Sequence, residues 1–447
     1  MKKIIKNSIW TLAAAMLSFV STGCLNSGED EGTKTYDVTV QLEYPEGYAA
    51  QQGITVVMAS QQSGTFEAQT DETGAASFTL IAGIYSVAAT DVRADSGVKT
   101  ILSGSISQTA VPVTAGDVIA LQLTASATSQ IIIKELYNGG CKKDDGTNFQ
   151  YDRSVVLYNN SDMPASLKGL CVAMAGPYNA QAANPFYDGG KLIYDLGDNA
   201  WIPAADAFWT FGDTNEVIAP YENLVLAING AVNNTTTVSN SIDLSNPSYW
   251  VLYDPEIGYT NTTYHPAPSE NIPTSHYCKA YQRIGMGNAW SLSNTSPGFF
   301  LFMAPEGVDL AAWCQNTDNQ DYTWSMGCYT IPTSWILDGI EVYAAANENN
   351  QKRLVASVDA GYVELTNYNG YTLYRNVDKD ATEALEENAG KIIYGYSLGT
   401  ADQPNGSTDP SGIDAEASIA AGAHIIYKDT NNSSSDFHQR SKSSLKK

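Results

Sequence analysis

The sequence predicts an all-β protein made of two antiparallel β-sandwiches with few, short helices. Three observations carry this. Segments such as "YDVTVQLEY" alternate Val38, Val40 and Leu42 with polar residues, the period-2 pattern of a strand with one buried face. Turn residues interrupt these segments at short intervals, as in Thr70-Asp71-Glu72-Thr73-Gly74. The 447 residues include 27 Tyr, 8 Trp and 36 Gly, and only 16% are charged, a composition that favours strands and turns over helices.

The amino terminus carries Lys2, Lys3 and Lys6, followed by an apolar run from Ile9 to Val20. That is the order of a secretory leader, and the run is shorter than the roughly 20 residues of a membrane span. The Ser21-Thr22-Gly23-Cys24 junction resembles a bacterial lipobox, although Ser21 stands where a large aliphatic residue is usual. The resemblance implies a lipoprotein signal peptide over residues 1–23, with lipid carried by Cys24. Glu29-Asp30-Glu31 is similar to the acidic export tag of Bacteroidota surface lipoproteins. Residues 24–34 are therefore expected to be an acidic flexible tether to the outer membrane, with the protein exposed at the cell surface.

The first sandwich is expected over residues 35–125. "GITVVMAS", "AASFTL", "IYSVAAT" and "VPVTAGDVIALQLTA" follow the opening strand, each bounded by turn chemistry. The run from Thr70 to Val87 resembles prealbumin-like and carboxypeptidase-regulatory-like domains, which implies a structural or docking module without catalytic residues.

The second sandwich is expected over residues 130–440. "IIIKELYNGGC", "YDRSVVLYNNSD" and "ASLKGLCVAMAG" read as its first strands, and "SWILDGIEVY" as a late one. Together with "YKDTNNSSSDF" near the end, they resemble a lamin-tail domain, which implies an immunoglobulin-like sandwich. A stretch rich in Tyr, Trp, Asn and Pro, about 176–332, reads as a loop-rich insertion holding short strands such as "NLVLAING". "DLAAWCQN" and "ATEALEENAG" are the two helix candidates. The order of the lipid anchor, Val40–Tyr48, Tyr158–Asp162, Leu167–Cys171 and Asp429–Ser433 resembles an uncharacterised Bacteroidota surface lipoprotein family, domain of unknown function 4876. Such families often serve TonB-dependent uptake systems, so a β-barrel receptor is an implied partner. The resemblance brings no activity.

Acids outnumber bases 48 to 24, which disfavours nucleic acid and anionic membrane as partners. With Cys24 set aside, Cys141, Cys171, Cys278, Cys314 and Cys328 remain, an odd number. Cys314 with Cys328 is the candidate disulfide to test first, and Cys141 with Cys171 is a second candidate. His265, His276 and Cys278 lie within one short segment, and imidazole and thiolate suit a transition metal, but the spacing matches no standard finger. The alternative is two loop histidines and a packed cysteine. Acid-rich turns such as "KKDDGTN", "NTDNQDYTW" and "KDTNNSSSDF" offer oxygen ligands for calcium, or are ordinary turns.

No G-x-S-x-G elbow, phosphate loop or dinucleotide fingerprint occurs, so neither an enzyme nor a cofactor is expected; a hydrolase is the one enzymatic alternative. Trp201, Trp209, Trp250 and Trp290 are the candidate ligand-binding aromatics, since flat side chains stack on sugars; the alternative is that they fill a core. The function expected is a non-catalytic binding or accessory role, with carbohydrate binding and metal or haem scavenging as alternatives.

Overall fold

The protein is described by a computed structural model over residues 34–446, apart from residues 61, 96–97, 113–117, 128, 286, 306 and 348. The leader, Cys24 and nearly all of the tether lie outside the described residues. Within them the chain is all-β, with four short α-helices, and no helix is long and apolar enough to cross a membrane.

The first module packs two sheets. Thr35–Glu43 is central in a three-stranded sheet, antiparallel to Ala75–Ile81 and parallel to Val118–Gln122. The other sheet runs Gly64–Gln69, Thr55–Ser60, Gly83–Asp95, Val98–Val111, Thr124–Ala127. The alternation seen in the sequence does the packing, because Val38, Val40 and Leu42 point the same way, onto Val56, Met58, Tyr85 and Leu102 of the facing sheet.

The second module is built on two six-stranded sheets. One runs Trp250–Val251, Asn223–Ala227, Ser154–Asn159, Ile131–Tyr137, Thr372–Arg375, Phe437–Arg440. The other runs Lys279–Ala280, Trp209–Thr210, Leu170–Met174, Gly298–Met303, Ile336–Ala344, Val363–Leu365. Ile133, Val155 and Leu157 of the first meet Val172, Phe299, Leu301 and Ile340 of the second in one core. Ile131–Tyr137 and Ser154–Asn159 are buried along their whole lengths. Both faces are covered, since Ile132, Tyr158 and Tyr374 pack outward onto Ile413, Ile425 and Tyr427. Outside the second sheet, Phe300 and Phe302 pack on a small sheet of Trp201–Ala205, Cys328–Pro332 and Gln320–Asp321. Residues 176–332 therefore do more than decorate the sandwich, because Gly298–Met303 is a central strand paired on both sides.

The helix expected in "DLAAWCQN" forms over Leu310–Gln315, with the Asp309 carboxylate accepting from the amides of Ala311 and Ala312. The second candidate gives Lys379–Ala384, ending before the 3-10 turn Glu386–Asn388. Ala415–Ala420 and Ser433–Asp436 are helices that the pattern did not announce, and each is a single turn or little more. The expected disulfides are corrected here: all five described cysteines are buried free thiols. Cys314 lies on its helix, while Cys328 is on a strand with its thiol turned to the Asp321 carbonyl at 3.7 Å. Cys141 instead faces the Asp152 carboxylate at 3.7 Å and Cys171 faces the Gly169 carbonyl at 3.5 Å.

Candidate functional site

The candidate tryptophans are mostly core. Trp209, Trp250 and Trp290 are each 1% exposed and belong to the core between the two large sheets. This corrects the expectation that they bind ligand: the insertion needs bulky apolar side chains because its strands are too short to supply aliphatic ones. Trp201 is half-buried against Tyr194, tilted 40° from its ring, and the neighbouring Trp313 and Trp335 are inclined at 50° to one another, so these rings form no flat platform.

His265, His276 and Cys278 go to separate surroundings. His265 stacks on Tyr253 and lies edge-on to Tyr259. His276 stacks on Trp250, with Nδ1 at 3.2 Å from the Tyr249 carbonyl and Nε2 at 3.4 Å from a Glu216 carboxylate oxygen. Cys278 is in the core. Among the described residues no group of three or more His, Cys, Asp or Glu is arranged to hold a metal ion. The acid-rich turns spend their carboxylates internally. Asp145 accepts from the amide and hydroxyl of Thr147, Asp321 from the Thr323 amide, and Asp436 from the amide and hydroxyl of Thr430.

The site that stands out was not among the sequence candidates. Four arginines are fully buried: Arg153, Arg353, Arg375 and Arg440. Arg353 pairs with Glu341, Arg375 with Asp338 and Asp429, and Arg440 with Glu416. Arg153 forms no ion pair among the described residues. Its neighbour Asp152 is no partner, because successive residues of an extended chain point to opposite faces. The Arg153 carbonyl accepts from the Ile228 amide, which continues the ladder of Ser154 with Ala227. Arg153 thus shares the face of Val155 and Leu157 and ends between the sheets. Asp152 is on the other face, accepting from Tyr137 at 3.0 Å and Ser241 at 2.6 Å, and burial pushes its carboxyl upward.

Arg153 donates from Nη1 to the Ser291 hydroxyl at 2.8 Å and to the Leu292 carbonyl. Its Nε is buried with no acceptor among the described residues, and Nη2 makes no hydrogen bond to them. Burial lowers the guanidinium to about 10, which leaves it charged at neutral pH. Unpaired buried charge is costly in a fold that elsewhere matches each such arginine with a carboxylate.

Arg153 lines an open cleft of about 330 Å³ at the end of the sandwich. Met174, Tyr178, Leu292 and Met326 give it an apolar wall, and Gln150, Tyr264 and Asn294 a polar one. The polar wall is held by a chain of hydrogen bonds. Asn294 donates to the Tyr368 hydroxyl at 2.7 Å, that hydroxyl donates to Gln150 at 3.3 Å, and Gln150 donates to the Tyr264 hydroxyl at 3.1 Å. The loop bearing Ser291 and Asn294 is fixed at its base, where the Trp290 indole donates to the Ala207 carbonyl at 2.9 Å, and further on, where Ser293 donates to Asn179.

Gly287, also in the lining, has a packing reason to be glycine: a Cβ there would stand 2.8 Å from a carboxylate oxygen of Asp206. Asp206 itself is left-handed, with φ 65°, and 2% exposed. Tyr259 donates to it at 2.8 Å while its Oδ1 has no partner among the described residues, and burial raises it to about 6 against the weaker pulls of the Tyr259 hydrogen bond and Arg283. A charged Asp-Arg pair ahead of the apolar run "SVVLYNN" was the one sequence signal for Arg153.

Residues 219–397 match a family model described as "Protein of unknown function (DUF4876)". No curated protein matches the chain. Among solved structures, a DUF4876 family protein from Bacteroides thetaiotaomicron VPI-5482 is similar at 20% identity and a TM-score of 0.51, covering 90% of this chain and 94% of that one. At that identity the likeness concerns the fold.

Proposed function

We propose that this chain is a non-catalytic binding protein, held at the outer face of an outer membrane by lipid on Cys24, and that the cleft at Arg153 is its ligand site. The observation carrying this is the buried, unpaired Arg153 lining a cleft of about 330 Å³, near the lower end of the roughly 300–1,000 Å³ of ligand pockets. The chemistry of the lining favours holding over breaking. Among the described residues no carboxylate, imidazole or thiol lines the cleft, Ser291 is engaged by Arg153 and Ser293 by Asn179, so neither hydroxyl faces a base there.

Location is part of the same proposal. The leader, the Cys24 junction and the acidic run support a surface lipoprotein, and a role beside a TonB-dependent receptor follows from that placement. The parallel pairing of Thr35–Glu43 with Val118–Gln122 is compatible with a prealbumin-like docking module, and the two large sheets with a lamin-tail-like module. Two experiments test the proposal. Cys24→Ala should move the chain from the membrane fraction to the soluble envelope; unchanged partition contradicts the anchor. A thermal-shift screen of small polar metabolites should find ligands that stabilise the protein and are recovered chemically unchanged; turnover of a stabilising ligand contradicts the non-catalytic assignment.

A further inference from the structure

We infer that the cleft takes a small monocarboxylate, its carboxylate docked on Nη2 of Arg153 and its body against Met174, Tyr178, Leu292 and Met326. This rests on the binding role proposed above and names the ligand class.

The argument starts from the geometry of guanidinium. Nε and Nη2 lie on one edge and present two parallel N–H donors, the fork that matches the two oxygens of a carboxylate. Elsewhere in the protein that edge is the one that grips acids. Arg353 donates to Glu341 from Nε at 2.9 Å and from Nη2 at 2.5 Å. Arg93 does the same to Asp91, from Nε at 2.9 Å and Nη2 at 2.6 Å. In Arg153 that edge holds no carboxylate: Nη2 is the end open to a ligand, Nε is buried behind it, and Nη1 is the anchored nitrogen.

Charge and shape narrow the class. Arg153 is the only cationic side chain among the described lining residues, so a single negative charge is matched and a dianion is left half neutralised. The remaining polar groups, Gln150, Tyr264, Asn179 and Asn294, are amides and hydroxyls suited to neutral oxygens of the same ligand. The apolar wall asks for a ring or aliphatic face. In a chain with 48 acids and 24 bases, a buried cation without a carboxylate partner is hard to account for as general electrostatics.

Isothermal titration calorimetry of the full chain in mild detergent tests this with sodium D-glucuronate, sodium benzoate, D-glucose and inorganic phosphate. At least one carboxylate is expected to bind, and glucuronate at least about ten-fold more tightly than glucose if the hydroxylated acid is the one taken. Phosphate is expected to be weaker than the bound carboxylate. Arg153→Lys keeps the charge but loses the planar guanidinium with its Nη2 donors, and should weaken carboxylate binding about ten-fold or more. If that variant does not fold, the comparison of acid with neutral sugar in the unaltered protein decides. Equal binding of glucose and glucuronate with no response to benzoate, or tighter binding of phosphate, overturns the carboxylate assignment while leaving a binding role intact. No heat from any probe at about 10 mM overturns it as well, and a thermal-shift screen that also finds no ligand removes the binding role with it.

Discussion

Arg153 donates from Nη1 to the Ser291 hydroxyl at 2.8 Å, and this bond ties the end of a strand in one large sheet to the loop leading into the central strand of the other. Ser291→Ala removes it while the Leu292 carbonyl still accepts from the same nitrogen. The expected loss is about 1–2 kcal/mol in urea unfolding, the range for one hydrogen bond to a charged group that keeps a second partner. An unchanged midpoint would mean that the bond does not hold the loop.

Glu341 and Arg353 should behave differently, because both side chains are 0% exposed. Glu341 also accepts from the backbone amides of Arg353 and Leu354, so the pair closes a turn as well as a charge. Arg353→Met leaves a buried carboxylate without its cation and is expected to cost about 3–5 kcal/mol. Adding Glu341→Gln should recover part of that cost, and urea unfolding of the two variants measures the difference.

Asp206 makes stability depend on pH. Its carboxyl is raised from 3.8 to about 6 by burial, with Tyr259 donating to it and Arg283 only partly offsetting the shift. The folded state therefore holds a proton that the unfolded state has released between about pH 4 and 6, and stability falls as pH rises through that window. The unaltered protein is expected to gain stability from this group when taken from pH 7.5 to 5. Asp206→Asn, which tolerates the left-handed backbone, should remove that slope and stabilise at pH 7.5 by up to the order of 3 kcal/mol. A slope unchanged by the substitution would contradict the assignment.

The cysteine prediction is a count. With Cys141, Cys171, Cys278, Cys314 and Cys328 all buried and unbonded, iodoacetamide should label all five once the unreduced chain is denatured. Burial pushes the Cys171 and Cys314 thiols up to about 12, so labelling of the native protein at neutral pH should be slow at both. Peptide mapping gives the answer, and a peptide pair that labels only after reduction would show a disulfide.

Trp250 tests the reassignment of the aromatics. It is 1% exposed and packed on Phe211 at 4.9 Å, with His276 stacked on its ring. Trp250→Ala is expected to cost about 3–5 kcal/mol in unfolding experiments, as for other large core truncations. A stable variant that had lost sugar binding would restore the tryptophan to a ligand site.

Strands that alternate were legible, as Val38, Val40 and Leu42 show, because one solvated face leaves its period in the residues. Gly298–Met303, "GFFLFM", was not, since both of its faces are covered and no alternation survives. The aromatics were ambiguous for the same reason: a tryptophan that fills a gap between short strands and one that awaits a sugar look alike in a sequence. Arg153 was hidden more deeply. Its importance lies in the partner it lacks, and the partners of Arg353, Arg375 and Arg440 are up to tens of residues away along the chain. Only the folded chain distinguishes the one unmatched arginine among the four buried ones from the three matched ones.

The most direct test is a crystal structure of the protein with whichever carboxylate probe binds more tightly. The account predicts carboxylate density within hydrogen-bond distance of Arg153 Nη2, with the rest of the molecule against Tyr178 and Leu292. Density for the probe elsewhere, with the Arg153 guanidinium still hydrogen-bonded to Ser291 and Leu292 and to no ligand, would contradict it.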